Sequence, residues 1–411
     1  MIIGVTDCGM KYAVRRSGSS VAYCALSIKC GTRDEDGYHS GIAHFTEHTL
    51  FKGTARKSAS AVNSYLDRLG GELNAYTTKE EIVIHATVLK EDLGKAASLL
   101  LELATSATFP EKEIEKEKGV VIDEINSYKD SPSEEIYDRF EELLFQGHPL
   151  SRPILGTSAS VKRITGSELH RFIAEKFIPG DMAFTVVADV SESQMADRIE
   201  RLSGKFFTAG TGIPASVEPP LPEVFAAGRF DKTLNKHNHQ VNCIIGNTAP
   251  SLYEDPDRIS AALLCNILGG PASNSILNSA LREKYGWVYG VECSYTQYAD
   301  AGIAAISFGC DRSNYEKCLE VIGKEVRKLQ DSELSQTKLK AARKQFLGQL
   351  AIASDNGESQ CLSMGKSLLA YGTVMSDIQT REKVEAVTAA AIRDSARRIF
   401  GQTDCSRLIY L

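Results

Sequence analysis

Two histidines and a glutamate lie close together in the segment 41–51, Gly-Ile-Ala-His-Phe-Thr-Glu-His-Thr-Leu-Phe. A helix over this segment would place His44 and His48 on one face, with Glu47 on the adjoining edge. Two imidazoles stacked in this way can hold one zinc ion, which in catalytic sites has three protein ligands and a position open for water. Glu47 would then be the base beside that water. The alternative is an ordinary surface helix, since a match of five residues is a weak signal.

A third ligand is predicted from an acidic helix, Glu111–Tyr128, which follows a proline suited to a helix start. Glu117 and Glu124 are two helical turns apart and share a face of this helix. A carboxylate would supply the charge that an all-histidine site lacks. The alternative is a solvated acidic face, which is typical of such charge runs. It explains Glu124 less well, because Glu124 lies within the apolar stretch 120–125.

Composition indicates an ordinary globular protein. The chain has 411 residues, of which 43% are hydrophobic and 24% charged, enough for two or more cores. A net charge of −6 argues against a nucleic-acid partner. The first residues do not resemble a signal peptide, and no run approaches the length of a membrane span, so we expect a soluble, cytoplasmic protein with no membrane partner. The ten cysteines form no C-x-x-C pair, which argues against a cysteine zinc site.

The order of predicted elements in the first half returns in the second half. After the histidine segment come a helix that ends at Gly70-Gly71 and a strand of alternating residues. Four pairs of segments match between the halves: Asn63–Arg68 and Asn278–Glu283, Ile82–Thr87 and Ile303–Ser307, Asp130–Glu134 and Asp355–Ser359, and Ile164-Thr165 and Val387-Thr388. We infer two domains that derive from one duplicated ancestor.

A proline- and glycine-rich stretch, residues 208–228, is the candidate linker between the domains. The predicted fold is α+β. It consists of two duplicated α/β-roll domains, residues 1–207 and 229–411, each with an antiparallel-rich sheet flanked by helices.

Only the first domain is predicted to bind metal. The counterpart of the histidine helix, about Ala261–Leu268, contains no histidine and no glutamate. The positions that match Glu117 and Glu124 are Ala342 and Gln349, which carry no charge. The sequence therefore predicts one zinc ion per chain.

The segment 41–54, followed by Glu124, resembles the pitrilysin-type inverted zinc peptidases, whose H-x-x-E-H motif reverses the commoner H-E-x-x-H. It is most similar to their short two-domain branch, which includes mitochondrial processing peptidase and bacterial processing proteases. The resemblance covers nearly the whole chain. It implies that His44, His48 and Glu124 bind zinc and that Glu47 is the general base. It also implies that Glu117 is a carboxylate that supports the site.

The resemblance extends to the second half, where the segment 281–289 matches the family's arginine and tyrosine. It implies that Arg282 and Tyr289 assist catalysis from across a cleft. Two residues depart from the family pattern: Thr49 stands where methionine is usual, and Trp287 where an aliphatic residue is usual.

The resemblance also has implications for substrate and assembly. The segment Asn74-Ala75-Tyr76-Thr77 resembles the edge strand along which the family binds an extended peptide substrate. Short members resemble half-shells that must pair, which implies a homodimer here.

The predicted function is a zinc-dependent endopeptidase that cleaves unfolded peptides or short peptide segments. One alternative is a non-catalytic or partner-dependent subunit of a peptidase-like complex, and another is a metal-sequestering or sensor protein. His85 is interpreted as a residue of a paired strand rather than a ligand. His237 and His239 are interpreted as surface residues rather than a second metal pair.

Overall fold

The structure is a computed structural model that describes residues 1–208, 228–236, 238–401 and 405–411. Packing divides the described residues into two compact units. The first unit contains the described parts of 1–126, 152–218 and 352–375, and the second contains those of 127–151, 219–351 and 376–411.

The described residues form eleven β-strands, which are numbered in chain order. They are β1 (Ile2–Val5), β2 (Lys11–Arg16), β3 (Val21–Ile28), β4 (Glu72–Thr77), β5 (Ile82–Leu89), β6 (Met182–Ala188), β7 (Asp231–Leu234), β8 (Val241–Ala249), β9 (Val288–Gln297), β10 (Gly302–Cys310) and β11 (Ser406–Tyr410).

Fourteen α-helices and a π-helical turn, Asn278–Lys284, complete the main elements of the described chain. The helices are α1 (Ile42–Leu50), α2 (Ala59–Asp67), α3 (Leu93–Ser106), α4 (Glu111–Lys129), α5 (Pro132–Leu144), α6 (Ser158–Val161), α7 (Gly166–Lys176), α8 (Glu192–Phe206), α9 (Asp257–Gly269), α10 (Tyr315–Asp331), α11 (Gln336–Asp355), α12 (Gly357–Tyr371), α13 (Asp377–Ala386) and α14 (Ala389–Phe400). No helix among the described residues is both long and apolar enough to cross a membrane.

Five strands of the first sheet and the five strands of the second share one topology. The first has the strand order β1-β2-β6-β3-β5-β4, in which β2 and β6 are parallel and the other neighbours antiparallel. The second has the order β7-β11-β8-β10-β9, in which β7 and β11 are the parallel pair. The second order repeats the first from β2 onward. The prediction of two duplicated units, each with an antiparallel-rich sheet and flanking helices, is therefore confirmed.

The matching threonines found in the sequence begin matching helices. Thr165 precedes α7 and accepts a hydrogen bond from the Glu168 amide, and Thr388 precedes α14 and accepts one from the Ala391 amide. Each side chain satisfies a backbone N–H that the first turn of a helix leaves without an intrahelical partner.

The first sheet is covered on both faces. Alternate residues of β5 point to opposite faces, so Ile82 and Ile84 join the larger core, which includes α3, while Val83 joins a smaller core under α12. Every residue of β6 is buried, because this strand lies inside the sheet. β4 forms an edge of the sheet, next to β5.

Each unit includes one helix from the other half of the sequence. α12 packs against β2, β3 and β6 in the first unit, and α5 packs against β8 and β11 in the second. The limits 1–207 and 229–411 therefore remain a prediction of where the two duplicated halves of the sequence begin and end. Nearly all of the proposed linker, 208–228, lies outside the described residues.

Candidate metal centre

A buried carboxylate fixes the start of α1, the helix that carries both histidines. Gly41 precedes the helix in a left-handed conformation, with φ of 90°, so α1 begins at Ile42 rather than at Gly41. Glu35 is 3% exposed and accepts hydrogen bonds from the Gly41 and Ala43 amides at 2.9 and 3.0 Å. Burial raises the pKa of Glu35 to about 7, although these two hydrogen bonds oppose the rise. The Glu35 side chain thus satisfies two amides that the helix leaves unpaired.

The structure brings His44, His48 and Glu124 together. The two histidine rings lie 4.5 Å apart between centroids. Their Nε2 atoms lie 3.7 and 3.6 Å from the same oxygen, Oε2 of Glu124 on α4. Within the described part of the chain, these three residues form the one group of histidine, cysteine or acidic side chains close enough to share a metal ion.

These distances fit a zinc ion. Ligand bonds of about 2.1 Å at tetrahedral angles separate neighbouring ligand atoms by roughly 3.4 Å, close to both Nε2–Oε2 distances. Burial, followed by the nearby His48, lowers the pKa of His44 to about 3, so its ring is neutral and able to bind metal. The donor set of two imidazoles and a carboxylate is one that zinc accepts in catalytic sites.

Glu117 supports the site from behind His48. Its Oε1 lies 2.9 Å from His48 Nδ1, and its Oε2 accepts an ion-paired hydrogen bond from Lys52 at 2.7 Å. Burial alone would raise the pKa of Glu117, but the hydrogen bonds from His48 and Lys52 outweigh it and lower the pKa. An ionised Glu117 keeps the proton of His48 on Nδ1 and leaves Nε2 free for a metal ion.

Glu47 lies on the same helix, beside the metal-binding group. The Thr77 hydroxyl, at the end of β4, donates a hydrogen bond of 2.8 Å to Glu47 Oε2. Burial raises the pKa of Glu47, and the hydrogen bond from Thr77 opposes that rise. A carboxylate with a raised pKa and a fixed orientation is suited to accept and release a proton.

Sequence reasoning missed two supporting residues and one contact. Lys52 had a partial signal, because it is four residues after His48 and would share its face if the helix continued, although α1 ends at Leu50. Glu35 had none, because its role depends on how the loop before α1 folds back onto the helix. Thr77 was predicted as part of a substrate strand, and its contact with Glu47 depends on the position of β4 beside α1.

The other predicted site residues divide between the units. Asn74, Ala75, Tyr76 and Thr77 lie on the edge strand β4 of the first unit. Arg282, in the π-helical turn, and Tyr289, on β9, lie in the second unit. Tyr289 is 92% exposed and the Arg282 side chain 54%, so both are accessible.

His85 and the two departures from the family pattern have structural contacts. His85 is within β5, as predicted, and its Nδ1 lies 3.0 Å from a carboxylate oxygen of Glu358. Thr49 is fully buried and donates a hydrogen bond to the Phe45 carbonyl, a contact within α1. Trp287 stacks on Tyr285 with 4.3 Å between ring centroids. His237, one half of the possible pair with His239, lies outside the described residues.

The sequence of the chain matches two descriptions of one peptidase family. Residues 11–158 match the family described as insulinase, peptidase family M16, and residues 163–346 match its peptidase M16 inactive domain. The chain belongs to peptidase family M16, as the resemblance implied.

Curated relatives of the chain are named as zinc proteases. A protein of Rickettsia bellii called an uncharacterized zinc protease is 28% identical over 93% of this chain and 91% of its own length. The uncharacterized zinc protease YmxG of Bacillus subtilis has the same identity and coverage.

Solved structures agree on the fold. The peptidase M16 inactive domain from Pseudomonas fluorescens superposes with a TM-score of 0.87 at 19% identity, covering 100% of this chain and 97% of that one. A protease from Helicobacter pylori superposes with a TM-score of 0.88 at 20% identity, covering 100% and 99%.

Proposed function

We propose that this protein is a zinc-dependent endopeptidase that binds one zinc ion per chain through His44, His48 and Glu124. The observation that carries the proposal is the position of Glu47, a fixed carboxylate on the same helix as the two histidines. A protein that only stores or senses a metal does not need a base beside the ion. When bound, zinc would polarise a peptide carbonyl and lower the pKa of a water molecule toward neutrality.

Side chains of the protein would transfer the proton, orient the ligands and stabilise the oxyanion. Glu47 accepts a proton from the attacking water and returns it to the leaving amine. Thr77 holds one oxygen of Glu47, which leaves the other oxygen for the water. Glu117 and Lys52 keep His48 oriented. In the homodimer proposed below, the Tyr289 hydroxyl of a partner chain would donate a hydrogen bond to the developing oxyanion, and its Arg282 would add positive charge.

We also propose that substrate pairs with β4 as an added strand. β4 is at the edge of its sheet, so backbone groups along Asn74–Thr77 can pair with an extended peptide. Ala75 and Thr77 pair with residues of β5 whose side chains face the larger core, and Thr77 contacts the proposed base. A peptide on this strand would therefore lie beside Glu47.

Strand addition requires an unfolded substrate. We expect the protein to cut an unstructured peptide library, and to cut denatured proteins while the same proteins in their folded state resist. Mass spectrometry of the products gives the cleavage sites and the sequence preference. Equal cleavage of folded and denatured forms would contradict strand addition, whereas cleavage of neither would contradict the proposed function.

The second candidate function, a non-catalytic or partner-dependent subunit, has some support in the accessible Tyr289 and Arg282. These side chains lie in the second unit and are free to contact another chain. We therefore propose a homodimer in which the zinc-binding unit of each chain is completed by Arg282 and Tyr289 of its partner.

Mixing two inactive variants tests the homodimer. Glu47→Gln chains lack the base and Tyr289→Phe chains lack the proposed oxyanion donor. After random exchange about half of the dimers are mixed and each has one intact site of two, so activity should return to roughly a quarter of wild type. Mixtures of each variant with itself are the controls. If subunit exchange is shown by mass spectrometry and no activity returns, both elements act within one chain.

A further inference from the structure

A cavity of about 640 Å³ lies in the second unit, between the end of α9, the π-helical turn, α10 and the first half of α11. Part of its lining is apolar, from Ile267, Val321 and Leu334. Another part is made of amides, including Asn274 and Gln345, which are hydrogen-bonded to each other at 2.9 Å. The cavity thus offers both apolar surface and groups that can donate and accept hydrogen bonds.

The charge of this cavity is strongly positive. Four lysines and one glutamate line it among the described residues: Lys284, Lys324, Lys328, Lys338 and Glu325. Glu325 is already ion-paired with Lys328 at 2.7 Å. Lys324 and Lys338 form no ion pair with any residue in the described ranges, so their charges are available to a ligand.

Comparison of the two duplicated units shows that two acidic positions of the first unit are neutral in the second. In α4 of the first unit, Glu124 belongs to the metal-binding group and Glu117 contacts His48. The matching residues of α11 are Ala342, which lines the cavity, and Gln349. Gln349 accepts a hydrogen bond of 2.7 Å from Asn266, another lining residue. A neutral amide pair thus stands where the first unit has acidic ligands.

One further position of the helix differs in charge between the two units. Four residues before Glu117, α4 carries Glu113, whereas four residues before Ala342, α11 carries Lys338. An acidic position of the first unit is thus basic in the second. Coulomb attraction to several lysines around one cavity selects carboxylates and other anions.

We propose that this cavity binds an acidic segment of a peptide or protein chain. Lysine ammonium groups would form ion pairs with its carboxylates, and the amides would form hydrogen bonds with its main chain. The apolar wall would contact the apolar side chains that lie between the acidic residues. The apolar wall and the paired amides favour a peptide over a polyphosphate, which would use only the lysines. This site is separate from the proposed metal site, and binding there does not require hydrolysis.

Fluorescence anisotropy with a short labelled peptide of alternating glutamate and leucine tests the proposal. The full chain is used with Glu47→Gln throughout, so that the probe is not cut. Lys324→Gln with Lys338→Gln should weaken binding about tenfold, because two unpaired charges leave the cavity. Lys340→Gln with Lys344→Gln is the matched control. It removes two exposed lysines of α11 that do not line the cavity, and should change binding by less than about twofold.

Several results would overturn the proposal. Equal weakening by both double variants would mean that the peptide responds only to net charge. Equal binding of a probe with lysine in place of glutamate would exclude charge recognition, and absence of binding would exclude the site. Inorganic triphosphate that binds more tightly than the acidic peptide and displaces it would make the cavity a polyphosphate site instead. Because no hydrolysis is measured, these outcomes are distinct from failure of the proposed peptidase activity.

Discussion

Replacing Glu47 with glutamine is expected to lower turnover by at least about a hundredfold, since a general base typically contributes 10²–10⁴. Glutamine has nearly the same shape and can still accept the hydrogen bond from Thr77, but it cannot take a proton from water. Zinc content should stay at the wild-type level, because Glu47 is not among the three residues that converge as a metal-binding group.

Glu91→Gln is the matched control for this substitution. Glu91 is an exposed glutamate of the same unit, away from the metal-binding group, so its replacement should leave turnover unchanged. The measurements are steady-state hydrolysis of an unstructured peptide and metal analysis of each purified variant. Normal turnover of Glu47→Gln would rule out the proposed base.

Replacing Glu124 with alanine is expected to remove zinc, whereas Glu117→Ala should only weaken its binding. Glu124 Oε2 lies near both histidine Nε2 atoms and is the third donor of the group. Glu117 contacts the other nitrogen of His48, and partners in that position typically contribute 10- to 100-fold to metal affinity.

Titration of each variant with a competing chelator ranks the zinc affinities. Asp123→Ala is the matched control, because Asp123 is an exposed acid next to Glu124 and is not a member of the metal-binding group. Its affinity should equal that of wild type. If Glu117→Ala loses zinc and Glu124→Ala retains it, the ligand and the supporting carboxylate have been assigned the wrong way round.

The elements that position the site were largely predictable from local pattern. The acidic helix was predicted as Glu111–Tyr128 and is observed as Glu111–Lys129, because its proline start and helical spacing are local signals. The convergence of His44, His48 and Glu124 also followed from spacing and resemblance, since helical periodicity fixes which side chains share a face.

Features that depend on long-range packing were not predictable. Nothing near Glu35 in the sequence indicates that its carboxylate returns to the start of α1. The exchange of α5 and α12 between the units depends on which sheet each amphipathic helix covers, which periodicity alone does not specify. The cavity of the second unit was missed for the same reason, because its lysines come from separate elements.

The most direct test of a zinc-dependent endopeptidase is to add zinc back to the metal-free wild-type protein while measuring both bound zinc and peptide hydrolysis. We expect chelation to abolish hydrolysis, and activity to rise in proportion to bound zinc until each chain holds one ion. Full binding of zinc without hydrolysis of any unstructured peptide, in a protein shown to be folded, would contradict the account and favour the non-catalytic subunit.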